Sequence, residues 1–142
     1  MSQQEVDSTT HTLREFALTL VRHAPASTLS QVAAGVLSAL ERRGPQRITS
    51  LAERESVSQP AMTGLVQRLD AAGLVERRPD PADGRATLIA ITVAGAEALM
   101  SRRRSHDGRL AAAISSLSAA DRAALEAAMP ALSHLLEIYE PT

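Results

Sequence analysis

The chain has no cysteine, no tryptophan and no lysine, and its only aromatic residues are Phe16 and Tyr139. Without thiols it can form no disulfide framework, no zinc–thiolate centre and no oxidation switch of its own. Two aromatics give no platform for stacking bases, which argues against single-stranded nucleic acid or RNA as a partner. Long apolar runs are also missing. The best stretch, residues 24–40, is broken by Pro25, Ser27, Thr28, Ser30, Gln31 and Ser38, short of the ~20 apolar residues of a membrane span. The opening MSQQEVDSTT lacks the basic and apolar regions of a secretory signal, so a cytoplasmic location is expected. No G-x-S-x-G, P-loop or dinucleotide fingerprint occurs, and His11, His23, His106 and His134 show no metal-ligand spacing. Neither catalysis, a metal nor a cofactor is therefore expected.

At 142 residues the chain fits a single domain, 1–142, and a chain of this size buries about 68–70% of its unfolded surface. All 15 basic residues are arginine, the side chain best suited to two-pronged contacts with phosphate or guanine. The formal charge of −1 conceals an asymmetry. Residues 42–109 carry twelve Arg against eight acids, whereas residues 1–41 have two against four and residues 110–142 one against four. A basic middle between acidic ends suits a DNA-reading module carried on a separate assembly platform.

Leu13, Phe16, Ala17, Leu20 and Val21 recur at helical spacing and predict a first helix over about residues 6–24, ended by Pro25. A second, over about 29–43, would bury Val32, Ala33, Val36, Leu37 and Leu40 and close at Gly44-Pro45. Thr49 is expected to cap a short third helix, and Ser58 a fourth over residues 59–72, with Pro60 in its first turn and Gly73 as its stop. Two short strands, 74–78 and 87–91, flank the turn-rich PDPADGR. Thr92 would cap a long fifth helix, and Ser118 with Asp121 a sixth, which Pro130 should kink. The predicted class is mainly α with a small β-hairpin wing (α+β), a winged helix-turn-helix of six helices.

At 100° per residue, Met62, Leu65, Val66 and Leu69 share one side of the fourth helix, which must be the core side. Gln59, Pro60, Thr63, Gly64 and Gln67 face the other way. An ordinary solvated face would carry Glu, Lys or Arg. This one is small, polar and uncharged, so it can press against base edges, with Gln59, Pro60, Thr63 and Gln67 as base-contact candidates and Gly64 allowing close backbone approach. Arg68 lies off that face and, with the hydroxyls of Thr49, Ser50, Ser56 and Ser58, is a phosphate-contact candidate. Capping alone also accounts for Thr49 and Ser58. At the hairpin tip Arg85 can enter a narrow minor groove, while Asp83, which DNA would repel, is expected to pair with Arg77 or Arg85 and brace the loop. A solvated strand edge is the plain alternative for Arg77 and Arg78.

The run LAERESVSQPAMTGLVQRLDAAGLVERRPDPADGRATLIAIT, continued by VAG, resembles the MarR family of bacterial transcriptional regulators. Its wing pattern is present as Asp83-Gly84-Arg85, Leu88-Ile89-Ala90-Ile91 and Thr92-Val93-Ala94-Gly95, with Ile91 in place of the usual Leu. The resemblance is specific over residues 29–95 and architectural elsewhere. It implies a sequence-specific double-stranded DNA-binding regulator, most often a repressor, acting as an obligate homodimer on a pseudo-palindromic operator. Residues 1–28 and 110–142 would supply the dimerisation helices, 29–92 the winged lobe and 93–109 a linking helix. Leu13, Phe16, Leu20, Leu132, Leu135 and Leu136 are the expected interface, since a single small lobe cannot cover them. The family also implies a small aromatic or amphipathic effector, for which His23 is the candidate contact. A winged-helix protein-interaction module without DNA binding is the rival reading.

Overall fold

The computed structural model describes residues 1–139, so the last three residues of the expected 110–142 segment lie outside the described residues. The order is α1 (Gln3–Arg22), α2 (Gln31–Arg43), α3 (Ile48–Arg54), α4 (Gln59–Ala71), β1 (Val75–Pro79), β2 (Thr87–Ile91), α5 (Val93–Ser115) and α6 (Ala119–Tyr139). The expected six helices and hairpin are all present. Contacts divide the chain into two compact units, Met1–Arg104 and Ser105–Thr142, with the division inside α5. Among the described residues no helix is long and apolar enough to cross a membrane.

In the first unit the buried apolar residues run from Leu29 to Leu99 and form one cluster, with Val36, Leu37, Leu40, Leu51, Met62, Val66, Val75 and Ile89 almost wholly enclosed. The predicted side of α4, Met62, Leu65, Val66 and Leu69, is buried in full. By contrast α1 buries no residue, and Phe16 is 51% exposed. It begins earlier than its apolar pattern suggests because Ser2 and Glu5 form a reciprocal capping box.

Two further element starts differ from expectation. β1 begins at Val75 rather than Leu74, because Leu74 is used to close α4: its N–H reaches Leu69 O (2.9 Å) and that of Gly73 reaches Asp70 O (2.9 Å). Gly73 takes the positive φ (75°) this C-terminal motif requires. α3 is capped not by Thr49 but by Arg47, without a side-chain cap bond, and Thr49 lies inside the first turn. The cause is tertiary. Gln46 pairs antiparallel with Ile89 (Gln46 N–H to Ile89 O 2.9 Å, Ile89 N–H to Gln46 O 2.7 Å), holding the chain extended until the helix begins.

The same C-terminal motif closes α3, where Ser56 N–H reaches Glu53 O (3.2 Å) and Val57 N–H reaches Ala52 O (3.1 Å). Here a serine, Ser56, occupies the left-handed position (φ 54°) that glycine usually takes. Beside it, the Glu55 carboxylate lies so close to Gly35 that a Cβ there would be 2.5 Å from both its oxygens. Burial raises the Glu55 pKa, only partly offset by the charge of Arg54. A carboxyl whose folded pKa is raised penalises the fold above that pKa and is relieved as pH falls through it. Glu55→Gln is therefore expected to be more stable than the wild type near pH 7. The advantage should shrink towards about pH 4, the unfolded carboxylate range, as read by denaturant midpoints across pH.

In the second unit Ser118 caps α6 as expected, its Oγ accepting from Asp121 N–H (3.0 Å). Arg122 donates to the carbonyls of Ser115 (3.0 Å) and Leu117 (2.7 Å), satisfying the end of α5. The helix continues through Pro130 to Tyr139 and buries no residue. Leu135 and Leu136 are exposed and Leu132 is partly covered.

Candidate nucleic-acid interface

The exposed side of α4 follows from its cap. Ser58 Oγ accepts from Ala61 N–H (3.2 Å), and Pro60 falls in the first turn, where its missing N–H leaves nothing unpaired. Gln59, Pro60 and Gln67 are exposed, and Thr63 and Gly64 are partly so. A methyl group added at Gly64 would meet only Arg68 Nη1, at 3.6 Å, an ordinary contact. Arg68 thus folds back along the helix towards the small-residue face. Thr49, Ser50, Ser56 and Ser58 are all exposed near the two helix starts and the turn between them.

The wing is an antiparallel pair in the register Val75↔Ile91 to Pro79↔Thr87, and Gln46 adds a short third member beside Ile89. Beyond Pro79 the chain closes on itself: Asp80 N–H donates to Ala86 O (3.0 Å) and Ala86 N–H to Asp83 O (2.9 Å). Asp83 does brace Arg85, but through the backbone, its Oδ1 accepting from Arg85 N–H (3.1 Å). That leaves the Arg85 guanidinium exposed at the tip with no hydrogen-bond or ion-pair partner among the described residues. Arg77 does not reach Asp83. It pairs with Asp70 at the end of α4 (3.3 Å), tying β1 to α4, and Arg78 pairs with Glu76 along its own strand. Both pairs are exposed, and such pairs contribute about 0–1 kcal/mol.

The brace the sequence did not disclose is Asp80, the one charged residue in the buried set among the described residues. Its Oδ2 accepts from Arg47 Nε (3.0 Å) and Nη2 (2.7 Å), and its Oδ1 from Ala82 N–H (2.9 Å). The Arg47 bond, then that from Ala82, hold this carboxyl below the usual carboxylate range, and the same pair raises Arg47. Because the folded pKa is depressed, the pair's contribution is present above about pH 4 and is lost as pH falls through the folded value.

The Thr-x-x-Gly end of the wing motif also has a structural reason. Thr92 Oγ1 donates to Gly73 O (2.6 Å) and accepts from Gly95 N–H (3.1 Å), so one hydroxyl joins the stop of α4 to the start of α5. Gly95 then lies directly on the Leu74 carbonyl.

This arrangement recurs in solved structures. The transcriptional regulator Tm0710 of Thermotoga maritima superposes with a TM-score of 0.80 at 24% identity, over 94% of this chain and 96% of that one. The MarR family profile matches residues 28–87, which span α2, α3, α4, β1 and the wing loop. An uncharacterized HTH-type transcriptional regulator of Mycobacterium bovis is 32% identical over 113 residues, 80% of this chain and 79% of that protein. The chain belongs to the MarR family. As a MarR-family protein it is a winged-helix, DNA-binding transcriptional regulator, and the β1–β2 hairpin is the wing of that fold. A shorter match, 38% over 63 residues, links it to the HTH-type transcriptional repressor NicR of Pseudomonas putida, covering 44% of this chain and 40% of that one.

Proposed function

We propose that this MarR-family regulator works as a homodimer that represses transcription from a pseudo-palindromic operator, each subunit placing α4 in the major groove and Arg85 in the adjacent minor groove. The observation that carries this reading is the pairing of a small, uncharged, largely exposed α4 face with a wing-tip guanidinium that has no hydrogen-bond or ion-pair partner among the described residues. Gln59, Pro60, Thr63 and Gln67 contact bases, Arg68 and the hydroxyls of Thr49, Ser50, Ser56 and Ser58 hold phosphates, and Arg77 steadies the wing from Asp70. Dimerisation is supported by two helices that bury nothing by themselves, α1 and α6. Leu13, Phe16, Leu20, Leu132, Leu135 and Leu136 form the interface, so that residues 1–28 and 110–142 assemble the dimer, 29–92 read DNA and 93–109 join them. Two-fold symmetry then sets the half-sites about one helical turn apart. The repressor relative supports repression, and a role on chromosomal DNA implies a cytoplasmic location. A small aromatic or amphipathic effector, with His23 at the end of α1 as a contact, relieves it.

Gly64→Ala separates reading from folding. The added methyl has room, and replacing glycine inside a helix gains about 0.5–1 kcal/mol, so melting temperature should rise. Affinity for DNA selected by the wild type from a random pool should nevertheless fall roughly tenfold per half-site, the worth of about one base contact. An affinity unchanged by Gly64→Ala would remove α4 from base reading and favour the protein-interaction module.

A further inference from the structure

We propose that Arg47 and Asp80 are positioning residues that hold the wing in register with the recognition helix, so that Arg85 meets the minor groove when α4 is seated in the major groove. The proposal rests on the reading of Arg85 as the minor-groove contact. β1 and β2 last pair at Pro79↔Thr87, so the loop that carries Arg85, residues 80–86, extends past the strand ladder. What orders it is a continuous series of bonds beginning in the helix-turn-helix. Arg47 stands at the N-cap of α3, where its carbonyl accepts from Leu51 N–H (3.2 Å), and its guanidinium grips Asp80 Oδ2 with two N–H groups. Asp80 in turn fixes Ala82 through Oδ1 and Ala86 through its backbone N–H. Ala86 N–H reaches Asp83 O, and Asp83 Oδ1 receives Arg85 N–H. The one buried charge among the described residues thus sits where the helix-turn-helix and the reading loop meet. Removing it weakens the loop's one side-chain tie to the helix-turn-helix and leaves it held by its strands and its internal backbone bonds, so each binding event must then order a rotamer-rich side chain that is already placed in the wild type.

Electrostatics and positioning predict opposite signs for Asp80→Asn. Deleting a negative charge beside a DNA-binding loop should tighten binding if charge alone matters. Positioning predicts that Asp80→Asn weakens operator binding by about three- to tenfold per half-site, the ordering cost of one long side chain. In an Arg85→Ala background, where there is no guanidinium left to place, the weakening should vanish. Arg47→Lys, which keeps the charge and shortens the grip, should show a smaller weakening with the same dependence on Arg85. It also serves as the test variant should Asp80→Asn fail to fold.

The experiment is a double-mutant cycle between Asp80→Asn and Arg85→Ala, and between Arg47→Lys and Arg85→Ala, by fluorescence anisotropy on the selected DNA at fixed salt, with melting curves for each variant. Coupling with Arg85 close to the full single-mutant effect supports the proposal. Tighter or unchanged binding by Asp80→Asn overturns it, and so does an equal weakening with and without Arg85. If Arg85→Ala itself has no effect, the reading of Arg85 has failed instead, and the cycle displays that outcome separately.

Discussion

Gly95→Ala is expected to destabilise the protein by about 2–3 kcal/mol, the upper part of the range for overpacking a close contact. A Cβ at Gly95 would clash with Leu74 O and lie 3.0 Å from Leu74 C and 2.9 Å from Ile91 Cγ1. The first two atoms are backbone and cannot swing aside as a side-chain end could. They also belong to the residue whose N–H closes α4 and whose carbonyl accepts from Thr92 N–H (3.1 Å). Relief therefore requires α5 to move off the sheet, straining the Thr92 bonds to Gly73 and Gly95 together. Helix propensity alone predicts the reverse, a gain of about 0.5–1 kcal/mol. A melting temperature lowered by roughly 5–15 °C would identify close packing as the function of this glycine, and a raised one would refute it.

Arg85→Ala is expected to have the largest effect on binding and almost none on folding. Its guanidinium has no partner among the described residues, and its loop is held by backbone bonds of Asp80, Asp83 and Ala86 that alanine preserves. Removing a surface side chain of this kind changes stability by no more than about 0.5 kcal/mol. On the proposed reading DNA loses a charge and a minor-groove contact, so affinity should fall roughly ten- to a hundredfold per half-site. The salt slope should become shallower by about one for each arginine removed, about two for a dimer. Equal melting curves with a large affinity loss would place the residue in recognition. A matching loss of stability would instead make Arg85 a structural residue.

What could be read in the sequence was set by period and by short-range chemistry. Met62, Leu65, Val66 and Leu69 repeat at helical spacing and are buried together. Ser58, Gly73, Thr92 and Ser118 act on neighbours within a few residues. The strand 87–91 is marked by its apolar and β-branched residues and forms as expected. The differences come from contacts across long sequence separation. Arg47 and Asp80 meet over 33 positions, and nothing local marks Asp80 as anything but a turn residue between two prolines. Gln46 finds Ile89 over an even longer separation, and that bridge moves the α3 cap from Thr49 to Arg47. Asp83 looked free to pair with Arg77 because turn chemistry does not reveal that Asp70, on α4, lies closer to Arg77 in space. The α1 start was missed for a simpler reason: its cap, Ser2 with Glu5, precedes the apolar pattern that defines the helix.

The central claim, that this MarR-family chain reads duplex DNA with α4 and an Arg85-tipped wing, is tested most directly by one titration series. Binding of the wild type and of Arg85→Ala to the selected DNA is measured across a range of salt, and the logarithm of the binding constant is plotted against that of the salt concentration. A steep linear fall for the wild type, with a weaker and shallower line for Arg85→Ala, is the predicted result. Binding that ignores both salt and Arg85 would contradict it.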